Sequence, residues 1–557
     1  MRLVSMGLSS GGVRCRCASI GQTQWAAQVD PHALRALLRS PRCNATPRGA
    51  LAQSAQPERL QSRHVFAPRQ LKRRRTVSRR RGSAIILGSP RQGVPGRRIG
   101  LSRPCQPRAS PLPARPWRDA APTARCNPTG HPVLQVWIDR LRRLGLDVTA
   151  LALFSAPAGV SVGLGLVVLA FFLVLMRRPA WPLSAGVVVA VGFSGYALAL
   201  GVFGSYPGGT LAVRMEAAAQ WAQLLVFVPV AYLLAGDQSR LLRLLGLALV
   251  GLILGALWRL DWGLLLADPG AFLEARPGFG FPANVGALFS GTALLGLVVL
   301  RRRWWQGPGP RPLRLALWWV ATLLVAQGFL LSLSRGAWLA LALTAVLGLA
   351  SSARTSGLRL PLRLLLPVGA VTAVVVLLYA GPMAERFASE WGAVQAMLAG
   401  EIDYAPDSSL SQRWHAQRFG VTAWLEHPWL GWGPGAAKAL LAASGDPSIM
   451  LIGYGPIEHL HNTYLDVLVQ LGLIGLMLWL GLFALLLRSV SKARVVRQVD
   501  GDVARFLALA LVYSMIWNLF DFHAMHQSWR AYWALLAGAA LSVGLFAGSS
   551  RAARGVG

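Results

Sequence analysis

Along most of this chain, apolar residues run in stretches about as long as a bilayer crossing requires, roughly 20 residues, separated by short charged breaks. They fall near 149–176, 181–203, 217–235, 241–258, 284–300, 313–332, 337–352, 362–381, 463–487, 503–520 and 530–548. Backbone groups in lipid must bond within their own segment, so each stretch predicts a helix rather than a barrel strand. Arginines fall on alternate breaks: Arg177 and Arg178, Arg240 and Arg243, Arg301 to Arg303, Arg354 with Arg359 and Arg363, Arg488 to Arg497, and Arg551 with Arg554. Those breaks are expected on the cytoplasmic side. The others, including 259–282, the turn at Arg335 and the long segment 382–460, are then expected on the opposite face. A single span at 149–176 would put Arg140, Arg142 and Arg143 on the wrong side. Two short passes across 144–176, broken at SAPAGVS, restore the parity. The expectation is an all-α polytopic membrane protein with eleven or twelve transmembrane helices and one large outer loop.

Composition agrees with the pattern. Hydrophobic residues make up 54% of the chain, charged residues only 14%, and the mean hydropathy is +0.46, values that exclude an ordinary soluble enzyme. The net charge of +34 suggests nucleic acid until it is located: residues 1–132 hold 25 of the 56 basic residues and 3 of the 22 acidic ones. This segment is rich in Arg, Pro, Ser and Gly, has no apolar period, and cannot bury enough surface to offset its ordering entropy. It reads as a disordered basic extension translated from upstream of the true start, near Val133 or Val136. It has no aromatic interleaving and no nucleic-acid-binding module, so no nucleic-acid partner is expected. Cys15, Cys17, Cys43, Cys105 and Cys126 all lie within it, and the body has no thiol chemistry. The remaining divisions are helices over 133–381, the outer loop 382–460 and helices over 461–557.

The loop contains two amphipathic stretches, MAERFASEWGAVQAML and LSQRWHAQRFGVTAWL, and a Gly/Pro turn, EHPWLGWGPG. It is too long for a plain connector and is expected to cover a substrate. All six histidines of the body (His415, His427, His459, His461, His523 and His526) fall on breaks assigned to the outer face. His459-x-His461 and His523-x-x-His526 have spacings a metal could use, but no carboxylate pattern accompanies them and no metal is expected. His461, in HLHNTYLDVLVQLGLIGL, is the best candidate for a general base, since imidazole titrates near neutral pH. Asn462 or Thr463 could instead simply cap the following helix. Asp466 is carried one turn into that helix, where a carboxylate either serves function or favours the positive helix end. Arg335, in LSLSRGAWLA, interrupts two apolar runs and requires an anionic partner or the interface. Arg276, in RPGFGFPANVGAL, is a second arginine on the same face. Guanidinium forks suit phosphate oxygens, so two arginines and a histidine point to displacement of a phosphate leaving group.

These motifs, LSLSRGAWLA, RPGFGFPANVGAL, EHPWLGWGPG and HLHNTYLDVLVQLGLIGL, occur in the order seen in the O-antigen ligase and polymerase superfamily, the Wzy_C domain proteins, which the chain resembles from about 145 to 548. The resemblance implies a GT-C-like fold in the bacterial inner membrane, with the active face periplasmic. It implies a metal-independent glycosyltransferase without a cofactor. Its partners would be an undecaprenyl-pyrophosphate-linked glycan and an acceptor such as lipid A core, another glycan or a protein. Arg335 and Arg276 would hold the pyrophosphate and His461 would activate the acceptor hydroxyl. Asn284, Asn462, His459 and Asp466 would be supporting polar contacts, as would Arg413, in SLSQRWHAQ. The chain departs from the usual asparagine-proline-asparagine form at Phe281, Pro282, Ala283 and Asn284. A polymerase or protein O-oligosaccharyltransferase would use similar residues. An anion transporter lined by Arg276 and Arg335 is the alternative of another class; against it, the chain has no internal repeat and its polar residues gather at one face.

Overall fold

Helix follows helix throughout the computed structural model, which describes residues 132–177, 183–275, 279–356, 380–401, 408–449 and 457–547. Among these there is no strand. In chain order the helices are α1 (Pro132–Ala152), α2 (Pro157–Arg177), α3 (Ala185–Phe203), α4 (Leu211–Ala222), α5 (Phe227–Leu234), α6 (Gln238–Trp258), α7 (Trp262–Ala267), α8 (Pro269–Glu274) and α9 (Ala283–Val299). They continue as α10 (Arg301–Gln306), α11 (Arg311–Leu331), α12 (Arg335–Ser356), α13 (Ala380–Ala399), α14 (Ser409–Glu426), α15 (Ala436–Ala443), α16 (Thr463–Val495), α17 (Gly501–Trp517) and α18 (Gln527–Leu545). The basic extension up to residue 131, the expected span 362–381 except its last two residues, and Arg276 lie outside the described residues.

The protein is an all-α polytopic membrane protein. Among the described residues, six helical segments are long and apolar enough to cross a bilayer: α2, α3, α4 with α5, α6, α11 and α16; α9 and the start of α12 are shorter apolar helices. Helices α17 and α18 also form where the sequence places them, and they are surrounded by protein. Nearly every residue of α18 from Trp529 to Gly544 is buried, so its environment is set by neighbouring helices rather than by lipid. The break at SAPAGVS is real: α1 ends at Ala152 and α2 begins at Pro157. The two return antiparallel, Gly163 against Thr149 and Gly145 against Val167, so closely that an added Cβ would lie within 3 Å of the facing backbone.

The bundle closes around α16 and α18, which pack on each other; α16 also packs on α3, and α18 on α5. Trp479 of α16 stacks on Trp533 of α18 at 5.6 Å, and Trp533 on Trp529 at 5.7 Å. Trp221 of α4 meets Trp479 edge-on at 6.0 Å. Such rings fill large volumes with few rotatable bonds, giving a stiff floor beneath the loops that follow.

The third feature of the fold is a break within α16. Gly472 has φ 64° and ψ −170°, so the helix is interrupted there. The turn HPWLGWGPG fills the gap: Trp432 N–H donates to Val469 O (2.8 Å), Gly433 N–H to Gln470 O (3.0 Å) and Leu473 N–H to Pro428 O (2.9 Å). Gly431 and Gly472 permit this approach, since a Cβ on either would lie within 2.7 Å of the other segment's backbone. Backbone freed by a broken membrane helix must find partners in protein, and this strap provides them.

Candidate active site

The loop before α16 arrives from below the strap, and one chain of hydrogen bonds fixes its end. Gln470 Oε1 accepts from Trp221 Nε1 (3.1 Å) and from Gly435 N–H (2.9 Å). Its amide donates to Asp466 Oδ1 (3.3 Å), and Asp466 Oδ2 accepts from Leu460 N–H (2.9 Å). Asp466 is fully buried with both oxygens engaged inside the chain. It anchors the backbone one residue before His461. Asn462 is the N-cap of α16, its Oδ1 accepting from Tyr464 N–H (3.0 Å) and Leu465 N–H (3.2 Å), as its position before the helix allowed.

Held between these anchors, His461 adopts a left-handed φ of 51°, a costly conformation that persists where its surroundings over-determine it. Its Nδ1 lies 3.1 Å from Asp521 Oδ1. Asp521 is 1% exposed and sits in the turn between α17 and α18. Its other oxygen accepts from Asn284 Nδ2 at 2.7 Å, and Asn284 Oδ1 in turn accepts from Ser334 Oγ at 2.8 Å. Phe522 N–H donates to Asp521 Oδ1 (2.9 Å), and Thr463 Oγ1 donates to its backbone carbonyl (2.7 Å). Burial alone would raise the Asp521 carboxyl, but the neighbouring His523 and the hydrogen bond to His461 hold it well below the usual carboxylate range. An ionised Asp521 favours the Nδ1–H tautomer of His461, which leaves Nε2 as the basic atom. Nε2 has no hydrogen-bond partner among the described residues.

Behind this pair stand three more imidazoles. His459 packs on His461 with ring centroids 4.3 Å apart and on His523 at 5.5 Å, and His523 meets His526 at 4.9 Å. Burial, then the adjacent His461, push His459 well below the ordinary histidine value. Burial takes His523 down to about 4, so both are neutral near pH 7. The ligand atoms of His459, His461 and Asp521 lie within 4.8 Å of one another, a grouping that could hold a metal ion. A cation there would compete with the hydrogen bond that orients His461.

Arg335 opens α12 beside this network. Its Nη2 donates to Glu390 Oε1 of α13 at 2.7 Å, and Glu390 Oε2 accepts from Leu410 N–H at 2.9 Å. This is the anionic partner the sequence demanded. Burial works to raise Glu390, but the bond and charge of Arg335 outweigh it and leave the carboxyl below its ordinary value. Gly336 lets α12 press against Phe520, whose Cβ lies only 2.6 Å from where a Cβ on the glycine would stand. Arg335, Arg413, Asn284, Ser334 and Asp521 line one cleft of about 40 Å³, room for one or two water molecules. Strained backbone gathers around it, at Leu333 (φ 46°) as well as His461.

Five of the residues singled out in the sequence (His461, His459, Asn284, Arg335 and Arg413) therefore meet at this cleft or in the network beside it. Asp466 and Asn462 support it from within the chain. Asp521, Glu390 and Ser334 were missed. Among known proteins, no curated sequence matches the chain. Residues 320–480 match the family model Wzy_C, O-antigen ligase, a stretch running from α11 through the Arg335 turn, the loop helices and His461 to the repaired break in α16. Over residues 320–480, then, the chain is similar to the Wzy_C domain of O-antigen ligases.

Proposed function

We propose that this protein is an inner-membrane glycosyltransferase that moves a glycan from undecaprenyl pyrophosphate to an acceptor hydroxyl on the periplasmic face, as an O-antigen ligase acting on lipid A core. The observation that carries the reading is the hydrogen-bonded relay Ser334–Asn284–Asp521–His461 beside the arginines of the cleft. His461 Nε2 takes the proton of the acceptor hydroxyl as its oxygen attacks the anomeric carbon. The bond from that carbon to the pyrophosphate oxygen breaks, and the electron pair leaves on the lipid pyrophosphate, with inversion at the sugar. Asp521 stabilises the imidazolium that results. Arg335 and Arg413, together with Arg276, offset the charge growing on the leaving phosphate, where preorganised electrostatics contributes most. Glu390 holds Arg335 where a phosphate oxygen would sit, and donor binding exchanges one anion for the other. The cleft is too small for a glycan, so the segment carrying α13 and α14 must move as the donor enters. In this reading the fold is of the GT-C kind and the reaction uses no metal.

The test is reconstitution of the chain with an undecaprenyl-pyrophosphate-linked glycan and separate acceptors, read by gel and mass analysis. Glycan on lipid A core supports the ligase; longer lipid-linked chains make the protein a polymerase, and modified protein an O-oligosaccharyltransferase. His461→Ala should lower transfer by about 10²- to 10⁴-fold, the usual contribution of general base catalysis, with the variant still folded. If no glycan moves and the same vesicles take up a labelled anion, the protein is a transporter.

A further inference from the structure

A large cavity of the bundle lies far from this site. Helix α9 begins at Asn284 beside the relay and ends at Val299; α17 starts at Gly501 and ends just before Asp521. Both run the length of the bundle, so their other ends, with Arg301 to Arg303 and Asp500, mark the opposite face. There a cavity of about 1160 Å³ separates α6 from α9 and α18, larger than most small-molecule pockets, ~300–1,000 Å³. Its interior is apolar, walled by Leu245, Leu249, Leu297, Leu535 and Ala539. A second apolar cavity of about 520 Å³ shares Phe154, Leu252 and Phe289 with it, so greasy space continues along the bundle.

The mouth has a different chemistry. Arg302, Arg303, Arg314 and Trp304 line it together with Asp500 and Asp502. Arg303 pairs with Asp500, and Arg314 is spent on the backbone carbonyls of Trp304, Trp305 and Gly309. Arg301 lies close to Arg302, Asp502 and Arg505; burial, then the charge of Arg302, lower its hold on its proton. Arg302 is exposed and has no hydrogen-bond or ion-pair partner among the described residues. Three arginines line the mouth against two aspartates, one of them already paired with Arg303, which leaves a positive rim around an apolar interior.

We propose that this cavity is a binding site for an anionic diacyl phospholipid, its phosphate held at the rim by Arg302 and its acyl chains lying between α6 and α9. Charge complementarity selects the occupant. A zwitterionic lipid offsets its phosphate with its own ammonium and gains less from an unpaired guanidinium, and a soluble anion gains nothing from the leucine-lined interior. Basic pockets between transmembrane helices bind anionic head groups in this way, and an indole at the mouth suits the depth of the head groups. The site is independent of the transfer chemistry, since none of its residues touches the relay.

The test uses the full chain in nanodiscs of phosphatidylglycerol or phosphatidylcholine, transferred to detergent, with retained lipid measured by native mass spectrometry. Phosphatidylglycerol should be retained and phosphatidylcholine lost. Arg302→Gln should weaken retention about fivefold, the usual effect of one basic group near a lipid phosphate. Gly246→Phe is the complementary variant: Gly246 lines the cavity, and a Cβ there meets no atom within 4 Å, so the ring can enter the space without disturbing the fold. It should abolish retention with every arginine in place. Equal retention of both lipids, wild-type retention in both variants, or displacement by glycerol phosphate alone would each overturn the proposal.

Discussion

The two ends of this bundle solve opposite problems. At the His461 end every side chain of the relay is held by hydrogen bonds, with Nε2 of His461 left over, and the free space is about 40 Å³. At the Arg302 end the walls are leucine and the free space about 1160 Å³. Tight packing at the first end fixes direction: a carboxylate, an amide and a hydroxyl bond in sequence so that one imidazole nitrogen is aimed. Looseness at the second fixes only chemical character, apolar inside and positive at the rim. The two should therefore answer very differently to substitution, sharply where geometry matters and gradually where only charge and volume do.

The strongest way to sharpen that contrast is Asp521→Asn. The amide keeps the shape but removes the charge that holds the His461 tautomer, so transfer should fall on the order of 10²-fold or more with little change in folding. Wild-type turnover would mean that the relay does not orient the base. Arg335→Lys comes next, with an expected loss of about tenfold or more, because a point charge does not reproduce a planar fork. Near-normal turnover would reduce Arg335 to a partner for Glu390.

The smallest effect concerns acid. His523 titrates in the folded chain at about 4, below its reference value of 6.5. The unfolded chain binds this proton first as the pH falls. Folded stability is then lost progressively from about pH 6.5 towards pH 4, by on the order of 2–3 kcal/mol from this one group. Melting temperatures in detergent over that range should fall, and His523→Phe should flatten the slope, leaving the share contributed by His459. An unchanged slope would place the acid sensitivity elsewhere. The Arg302 end, with no buried histidine in its walls, should contribute nothing here.

Much of this organisation was legible in the sequence because it is local. Apolar run length gave the helices, the arginine parity predicted the break at SAPAGVS, and the two amphipathic stretches of the outer loop became α13 and α14. Arg335 betrayed its need for an anion by standing between apolar runs, but Glu390 could not be told from the other acids of an amphipathic helix. Asp521 was invisible for a different reason. Its neighbours form no motif, and only the packing of α9, α16 and α17 brings it to Asn284 and His461. The contacts of Asp466 were not legible because an acid near a helix start has several uses, and its partners, a backbone N–H and the Gln470 amide, are set by the fold. The interruption at Gly472 left no trace in a run of leucine, isoleucine and valine.

That interruption bears on how the chain can be made. A membrane helix normally enters the bilayer complete, with its own hydrogen bonds closed. Helix α16 cannot, because the groups that close it at Val469, Gln470 and Leu473 belong to the turn from Pro428 to Gly433. That turn leaves the ribosome before α16 does. The order of synthesis thus supplies the repair ahead of the break, and a circular permutation that reversed this order would ask the bilayer to accept a helix with a hole in it.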